Sequence, residues 1–288
     1  MNGFYNVIKP VGRSSSDLVI KIRAILRRTF GKKVKVGHLG TLDPLATGVL
    51  GVAVGSATKL FDYFLTKRKT YVAECVLGKE TDTLDSAGKV IAEKDPVELS
   101  EEEIRAALST FVGEIDQIPP RYSAKSVGGV RAYRLALKGI EPELKPCKVT
   151  IYSIELLERV SETMIRFRVC CSGGTYIRSL CRDIGAKLGY PAYMSALVRE
   201  ANGAMRLENA VTLEEIEKDV FQGFTSIEQF GDSLEKTDFP EDFRKKIENG
   251  VKQIVAMSDG LISVSVGWKF YGIGMVKEGE LSIIAREI

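Results

Sequence analysis

No single hydrophobic period runs through this chain, and that constrains its fold more than any other feature. Over 163–170, Ile165, Phe167 and Val169 alternate with Arg166 and Arg168, the two-residue period of a half-buried strand. Ser172-Gly173-Gly174 breaks the pattern. Ile177, Leu180, Cys181, Ile184 and Leu188 then line one helical face, in a helix expected to start near Thr175 and to stop at Gly189. Leu18, Val19, Ile22, Ile25 and Leu26 predict an earlier helix, capped by Ser15 or Ser16. Residues 71–77 and 148–157 predict further strands, the first ending at Gly78. Ser100 with Glu103, and Thr212 with Glu215, form capping boxes; Ile104, Ala107, Leu108 and Phe111 are the stripe after the first. Strands and helices mix without a strand–helix–strand rhythm, so the expected class is α+β rather than a doubly wound parallel sheet. Composition shifts near Thr237-Asp238-Phe239-Pro240. Short strands around 261–266, 269–276 and 281–285 then predict a small β-rich C-terminal module, dividing the chain into 1–236 and 237–288.

With 288 residues, of which 44% are hydrophobic and 27% charged, the chain has ample material for a core. No stretch resembles a membrane span, and Met1–Asn6 has no basic flank before an apolar run, so no signal peptide is expected and the cytoplasm is the expected location. Five cysteines without a C-x-x-C pair argue against a disulfide framework or a zinc site. One histidine, His38, and no G-x-S-x-G elbow leave little room for a Ser-His-Asp triad or a histidine-based metal site.

The net charge of +3 is unevenly spread. Lys21, Arg23, Arg27, Arg28, Lys32, Lys33 and Lys35 follow one another with no acid among them, as either a solvated helix face or a phosphate-binding one. Lys67-Arg68-Lys69-Thr70 leads into Tyr71, which suits RNA: cations hold phosphates while an aromatic stacks on a base. Gly37-His38-Leu39-Gly40-Thr41-Leu42-Asp43-Pro44-Leu45-Ala46-Thr47-Gly48 sets one carboxylate among glycines and apolar residues. Asp43 there is either a turn-forming side chain or a carboxylate held in a pocket; a desolvated anion would need a cation nearby. Arg178 is a candidate, because an arginine in the first turn of a helix opposes the dipole and calls for an anionic partner.

In series, these segments resemble one known family. Lys9-Pro10-Val11-Gly12-Arg13-Ser14-Ser15, Gly37–Pro44, Lys69-Thr70-Tyr71 with Leu77-Gly78 and Thr81–Asp85, Gln117-Ile118-Pro119-Pro120 with Ser123-Ala124 and Arg131-Ala132-Tyr133, Gly174–Leu180, and Leu197-Val198-Arg199 with Gly203 run in the order of the TruB-type pseudouridine synthases, which act on position 55 in the T loop of tRNA. The resemblance implies the pseudouridine synthase fold: a mixed, mainly antiparallel sheet with flanking helices and a central RNA-binding cleft, plus a PUA-like C-terminal module. It implies Asp43 as the reacting carboxylate, nucleophile or base, and Arg178 as the group keeping it ionised. Tyr71 would stack on a flipped uracil, Tyr176 and Leu197 would line the pocket, His38 would stand near the vacated space, and Lys9 would join the substrate-binding set. No metal and no cofactor are expected, since the isomerisation conserves atoms. The expected partner is the T arm of tRNA, met by a monomer without an obligate protein partner. Guide-directed rRNA pseudouridylation is the alternative within enzymes, and tRNA folding without chemistry the alternative outside them. Leu39, Ser126 and Glu200 depart from residues usual in the family.

Overall fold

Ser14, not Ser15 or Ser16, caps the first helix. Its hydroxyl accepts from the Asp17 N–H at 3.1 Å while Asp17 accepts from the Ser14 N–H at 2.9 Å, a reciprocal capping box. Three serines in a row make the cap ambiguous in sequence; the acid three residues on selects Ser14 and turns Ser15 inward. The computed structural model describes residues 1–95, 99–123 and 125–287; Ala124 of the Ser123-Ala124 motif lies outside them.

In chain order the elements used below are β1 (Gly3–Lys9), α1 (Ser15–Phe30), β2 (Val36–His38), β3 (Thr47–Val54), β4 (Lys69–Leu77), α2 (Glu101–Ser109), β5 (Gly113–Gln117), β6 (Cys147–Ser161) and β7 (Met164–Cys171). They continue with α3 (Ile177–Leu188), β8 (Ala192–Asn202), β9 (Phe224–Ser226), β10 (Glu235–Phe239), β11 (Gln253–Ile254), β12 (Gly260–Val266), β13 (Lys269–Lys277) and β14 (Glu280–Arg286). The expected strands and helices are all present, and the helices at Ser100 and Thr212 start with the capping boxes read from the sequence.

The chain forms two compact units, residues 1–44, 48–65 and 205–288 in one and residues 45–47 and 66–204 in the other. In the first, β1 pairs antiparallel with β9 on one side and β3 on the other, and β2 pairs antiparallel with β3. The C-terminal strands make a separate sheet in the order β10-β12-β13-β14-β11, with β10 parallel to β12 and the other pairs antiparallel. That sheet does not keep its core to itself. Leu261, Ile273 and Ala285 are buried in one cluster with Phe4, Leu39, Leu60, Phe64 and Ile227. The Ser56 hydroxyl also donates to the Arg286 carbonyl at 2.7 Å.

In the second unit, β8, β4, β7, β6 and β5 pair antiparallel in that order. Along β4 the buried positions are Lys69, Tyr71, Ala73, Cys75 and Leu77, the strict alternation of a strand with one covered face. Helix α3 covers that face: the Cys75 thiol lies 3.7 Å from the Cys181 carbonyl. A Cβ on Gly185 would meet the Ala192 Cβ at 2.3 Å, so only glycine lets helix and strand approach this closely. No helix among the described residues is long and apolar enough to cross a membrane.

Candidate active site

The Asp43 loop joins β2 to β3 and is held from both sides. The Ser15 hydroxyl, freed by the shift of the cap to Ser14, accepts from the Leu42 N–H at 2.8 Å and donates to the Leu42 carbonyl at 2.9 Å. The Gly12 N–H donates to the Pro44 carbonyl at 2.8 Å. Lys9 is fully buried, and its ammonium donates to the carbonyls of Pro10 (2.9 Å), Arg13 (2.6 Å) and Pro44 (3.3 Å). Lys9 was expected among the substrate-binding residues; the role its geometry carries is to brace this loop, since a buried ammonium needs acceptors and backbone carbonyls supply them. The segment Lys9–Ser15 and the segment Gly37–Pro44 are thus two strips of one construction. They fix the backbone before and after Asp43, whose side chain is half-buried. Leu39 and Leu42 anchor the loop in the core, with the Leu39 N–H on the Gly51 carbonyl at 2.8 Å. His38 ends β2, half-buried, opposite Val52 of β3.

Arg178 sits in the first turn of α3 and is 6% exposed. Its guanidinium donates to the Thr83 carbonyl at 2.9 Å and the Tyr122 carbonyl at 3.0 Å, and lies 3.6 Å from the Asp85 carboxylate. Asp85, present in the sequence argument only as part of a motif, is therefore a buried charge partner of Arg178. It is itself oriented by the Thr83 hydroxyl at 2.7 Å and the Ala87 N–H at 3.0 Å. Tyr176 is the N-cap of α3 but offers no side-chain cap. Gln117 takes over, accepting from the Tyr176 N–H at 2.8 Å and donating to its carbonyl at 3.1 Å. The Ser179 hydroxyl donates to the Ile118 carbonyl at 2.8 Å. Three successive contacts thus lace residues 117–122 to the start of α3, which explains the otherwise bland Gln117-Ile118-Pro119-Pro120. Burial raises the Tyr176 phenol, and the Ser123 hydroxyl opposes the rise.

Tyr71 and Leu197 lie on the covered face of the second unit's sheet, Tyr71 opposite Arg199 and Leu197 opposite Ala73. Directly opposed residues of antiparallel strands share a face. The structure therefore brings Lys9 and the Asp43 loop together in one unit, and Tyr71, Leu197, Tyr176 and Arg178 around α3 and its sheet in the other.

Two buried cations were missed. Arg199 is fully buried and Lys69 is 5% exposed, on the face that carries Tyr71. Burial, then Arg199, push the Lys69 ammonium down to about 8. Lys69 cannot be the surface phosphate contact expected of the Lys67–Lys69 run; its Nζ donates to the Lys67 carbonyl at 2.8 Å. The signal was in the sequence, because two-residue periodicity puts Lys69 on the side of Tyr71. Arg68 is exposed and stacks 4.0 Å above the Tyr152 ring. The seven cations from Lys21 to Lys35 are all exposed. Glu200 holds Arg168 through two contacts at 2.9 and 3.2 Å, so this departure from the usual residue serves an ion pair across the sheet.

Comparison with known proteins agrees with the motifs. Residues 27–177 match the profile of the N-terminal domain of TruB family pseudouridylate synthases, and residues 178–229 match that of the tRNA pseudouridylate synthase B C-terminal domain. The tRNA pseudouridine synthase B of Clostridium perfringens (strain 13 / Type A) is 46% identical over 253 residues, 88% of this chain and 84% of that protein. The one from Clostridium kluyveri is 39% identical over 292 residues, 99% of both. Among solved structures, a Cbf5-Nop10-Gar1 complex contains a chain similar with TM-score 0.70 at 25% identity, covering 99% of this chain and 83% of that one.

Proposed function

The chain belongs to the TruB family of pseudouridylate synthases, and from that premise we propose that it isomerises the uridine at position 55 in the T loop of tRNA, with Asp43 as the reacting carboxylate. The observation that carries this reading is the clamp by Ser15, Gly12 and Lys9 on Leu42 and Pro44, the residues on either side of Asp43. A turn whose only task is to reverse the chain needs no such bracing, whereas a reacting group held in one geometry gains several orders of magnitude in rate.

The chemistry asks for a carboxylate and little else. The N1–C1′ bond breaks, the uracil turns, C5 joins C1′, C5 gives up its proton and N1 receives one. Asp43 either adds to C1′ or takes a proton from C2′; both exploit a sugar with developing oxocarbenium character. Arg178 supplies the positive charge that keeps the carboxylate ionised, Tyr71 stacks on the uracil, Tyr176 and Leu197 shape its pocket, and His38 stands by the space it leaves. The target base must leave its stack, at a cost of a few kcal/mol. The exposed cations of α1 and the loop after it contact phosphates. Residues 237–288 act as a PUA-like RNA-binding module, and the protein works as a cytoplasmic monomer. Guide-directed rRNA modification is disfavoured by relatives of 39–46% identity named for tRNA.

The test is tritium release from unmodified tRNA carrying [5-³H]uridine, with chemical mapping of the product. The protein should release one equivalent per tRNA and place pseudouridine at position 55. Asp43→Asn should release none while binding tRNA within about tenfold, or ~1.4 kcal/mol, of the native protein. Turnover by Asp43→Asn, or modification at another position only, overturns the reading.

A further inference from the structure

Trp268 is the sole tryptophan of the chain and, among the described residues, its most exposed large hydrophobic side chain, at 90%. It occupies the tip of the β12–β13 hairpin. Gly267 and Trp268 are the two central residues of the turn, with φ of +59° and +64°. Such a turn favours Asn-Gly or Gly-Gly, because both positions need the left-handed region. A bulky aromatic there is a poor turn former with no compensating burial, so the turn does not account for it. The tip is nonetheless rigid. The Trp268 N–H donates to the Asp238 carboxylate at 2.8 Å, and the Gly267 N–H donates to the Phe239 carbonyl at 2.8 Å. Both contacts tie it to β10, the strand parallel to β12.

We propose that Trp268 is a stacking platform for one unpaired base of the RNA substrate, remote in sequence from the catalytic motifs. The proposal rests on the reading that this chain acts on tRNA. The surroundings select a base over a protein or lipid partner. Charged residues gather at the tip: Asp238 accepts the Trp268 N–H, exposed Lys269 is next in the chain, and Glu241, paired with Arg244, lies beside Gly267. A protein interface needs roughly 800 Å² from each side, with an apolar centre. One flat, solvated aromatic on a tethered backbone, with an exposed lysine next in the chain, suits a single base and its phosphate. Every base presents a π-face, and stacking of this kind tolerates any sequence.

Because Trp268 is the only tryptophan, its fluorescence reports on the contact directly. The full chain is titrated with unmodified tRNA, with the same tRNA lacking its single-stranded 3′ end, and with an isolated T-arm stem-loop. Intact tRNA should quench the emission with saturation at the dissociation constant found by filter binding. A shortened RNA that fails to quench has lost the segment that carries the base. Trp268→Gly relieves the backbone, so it should melt no lower than the native protein; it should raise Kd and KM for intact tRNA about tenfold and leave the single-turnover rate at saturation unchanged. Trp268→Phe should restore most of the affinity. Saturating tRNA that leaves the emission unchanged, or a Trp268→Gly protein with native KM, overturns the proposal. Quenching by a protein that binds tRNA but forms no pseudouridine would sink the proposed function and leave the stacking contact standing.

Discussion

Ser14 and Ser15 are adjacent and chemically identical, yet their substitution by alanine should fail in different ways. Ser14 caps α1 and nothing more. Ser14→Ala should cost about 1 kcal/mol of stability, the usual value of an N-cap, with turnover intact. Ser15 satisfies both the N–H and the carbonyl of Leu42, which is 3% exposed. Ser15→Ala leaves those two groups buried without the hydroxyl, at about 1–3 kcal/mol each, so a loss of roughly 2–4 kcal/mol after partial relaxation is expected. At about 2–4 °C per kcal/mol for a protein of this size class, the melting point should drop by roughly 4–16 °C. The larger effect should be on rate. Leu42 immediately precedes Asp43, and a displacement of about 1 Å at a reacting group can cost on the order of a hundredfold. The assay is single-turnover tritium release at saturating tRNA, with binding measured in parallel. The expected result is a rate reduced about a hundredfold, affinity unchanged because Ser15 is buried, and Ser14→Ala normal in both. A Ser15→Ala protein with native rate and melting point, or one that loses affinity alone, refutes the idea that this hydroxyl positions the Asp43 loop for the proposed chemistry.

Arg178→Lys keeps the charge but cannot reach the carbonyls of Thr83 and Tyr122 with two nitrogens while facing Asp85. Turnover should fall about a hundredfold and stability by about 1.5–3 kcal/mol, and a native rate would reduce Arg178 to a structural cation. Lys69 has its folded value lowered to about 8, from 10.5. Between those values the unfolded chain binds more protons, so stability from this group rises with pH. Chemical denaturation should show the native protein gaining on Lys69→Met by at most about 3 kcal/mol from pH 8 to 10.5; a gap independent of pH would contradict the buried ammonium. Deleting residues 235–288 uncovers Phe4, Leu60, Phe64 and Ile227. Side chains of that kind contribute about 1.5–3 kcal/mol each when buried, against a total stability of about 5–15 kcal/mol. The truncated protein should bind hydrophobic dye and aggregate, whereas a soluble, cooperative melt at the native temperature would show the C-terminal sheet to be an independent module.

Local signals settled much of this protein without a structure. The alternation of Ile165, Phe167 and Val169, the stripe from Ile177 to Ile184 and the capping boxes at Ser100 and Thr212 each rest on contacts within a few residues, and each element formed where expected. The class α+β followed from those elements, and the ordered motifs identified the family. What sequence left open were the choices made by partners distant along the chain. Three serines offered a cap, and only the fold shows that Ser15 is spent on Leu42, 27 residues away. Lys9 was expected among the substrate-binding residues and Lys69 in a phosphate-contacting run; backbone carbonyls and a covering helix made their burial tolerable, and neither is visible in a local window. Asp85 became a partner of Arg178, 93 positions on, because β4 and α3 are folded together. The glycines and short strands after Pro240 pointed to β structure there, and a five-stranded sheet forms, but not to its apolar face closing over Phe4 and Phe64 within one compact unit. Periodicity states which side of an element is apolar; which other element covers it is decided by the packing of the whole chain.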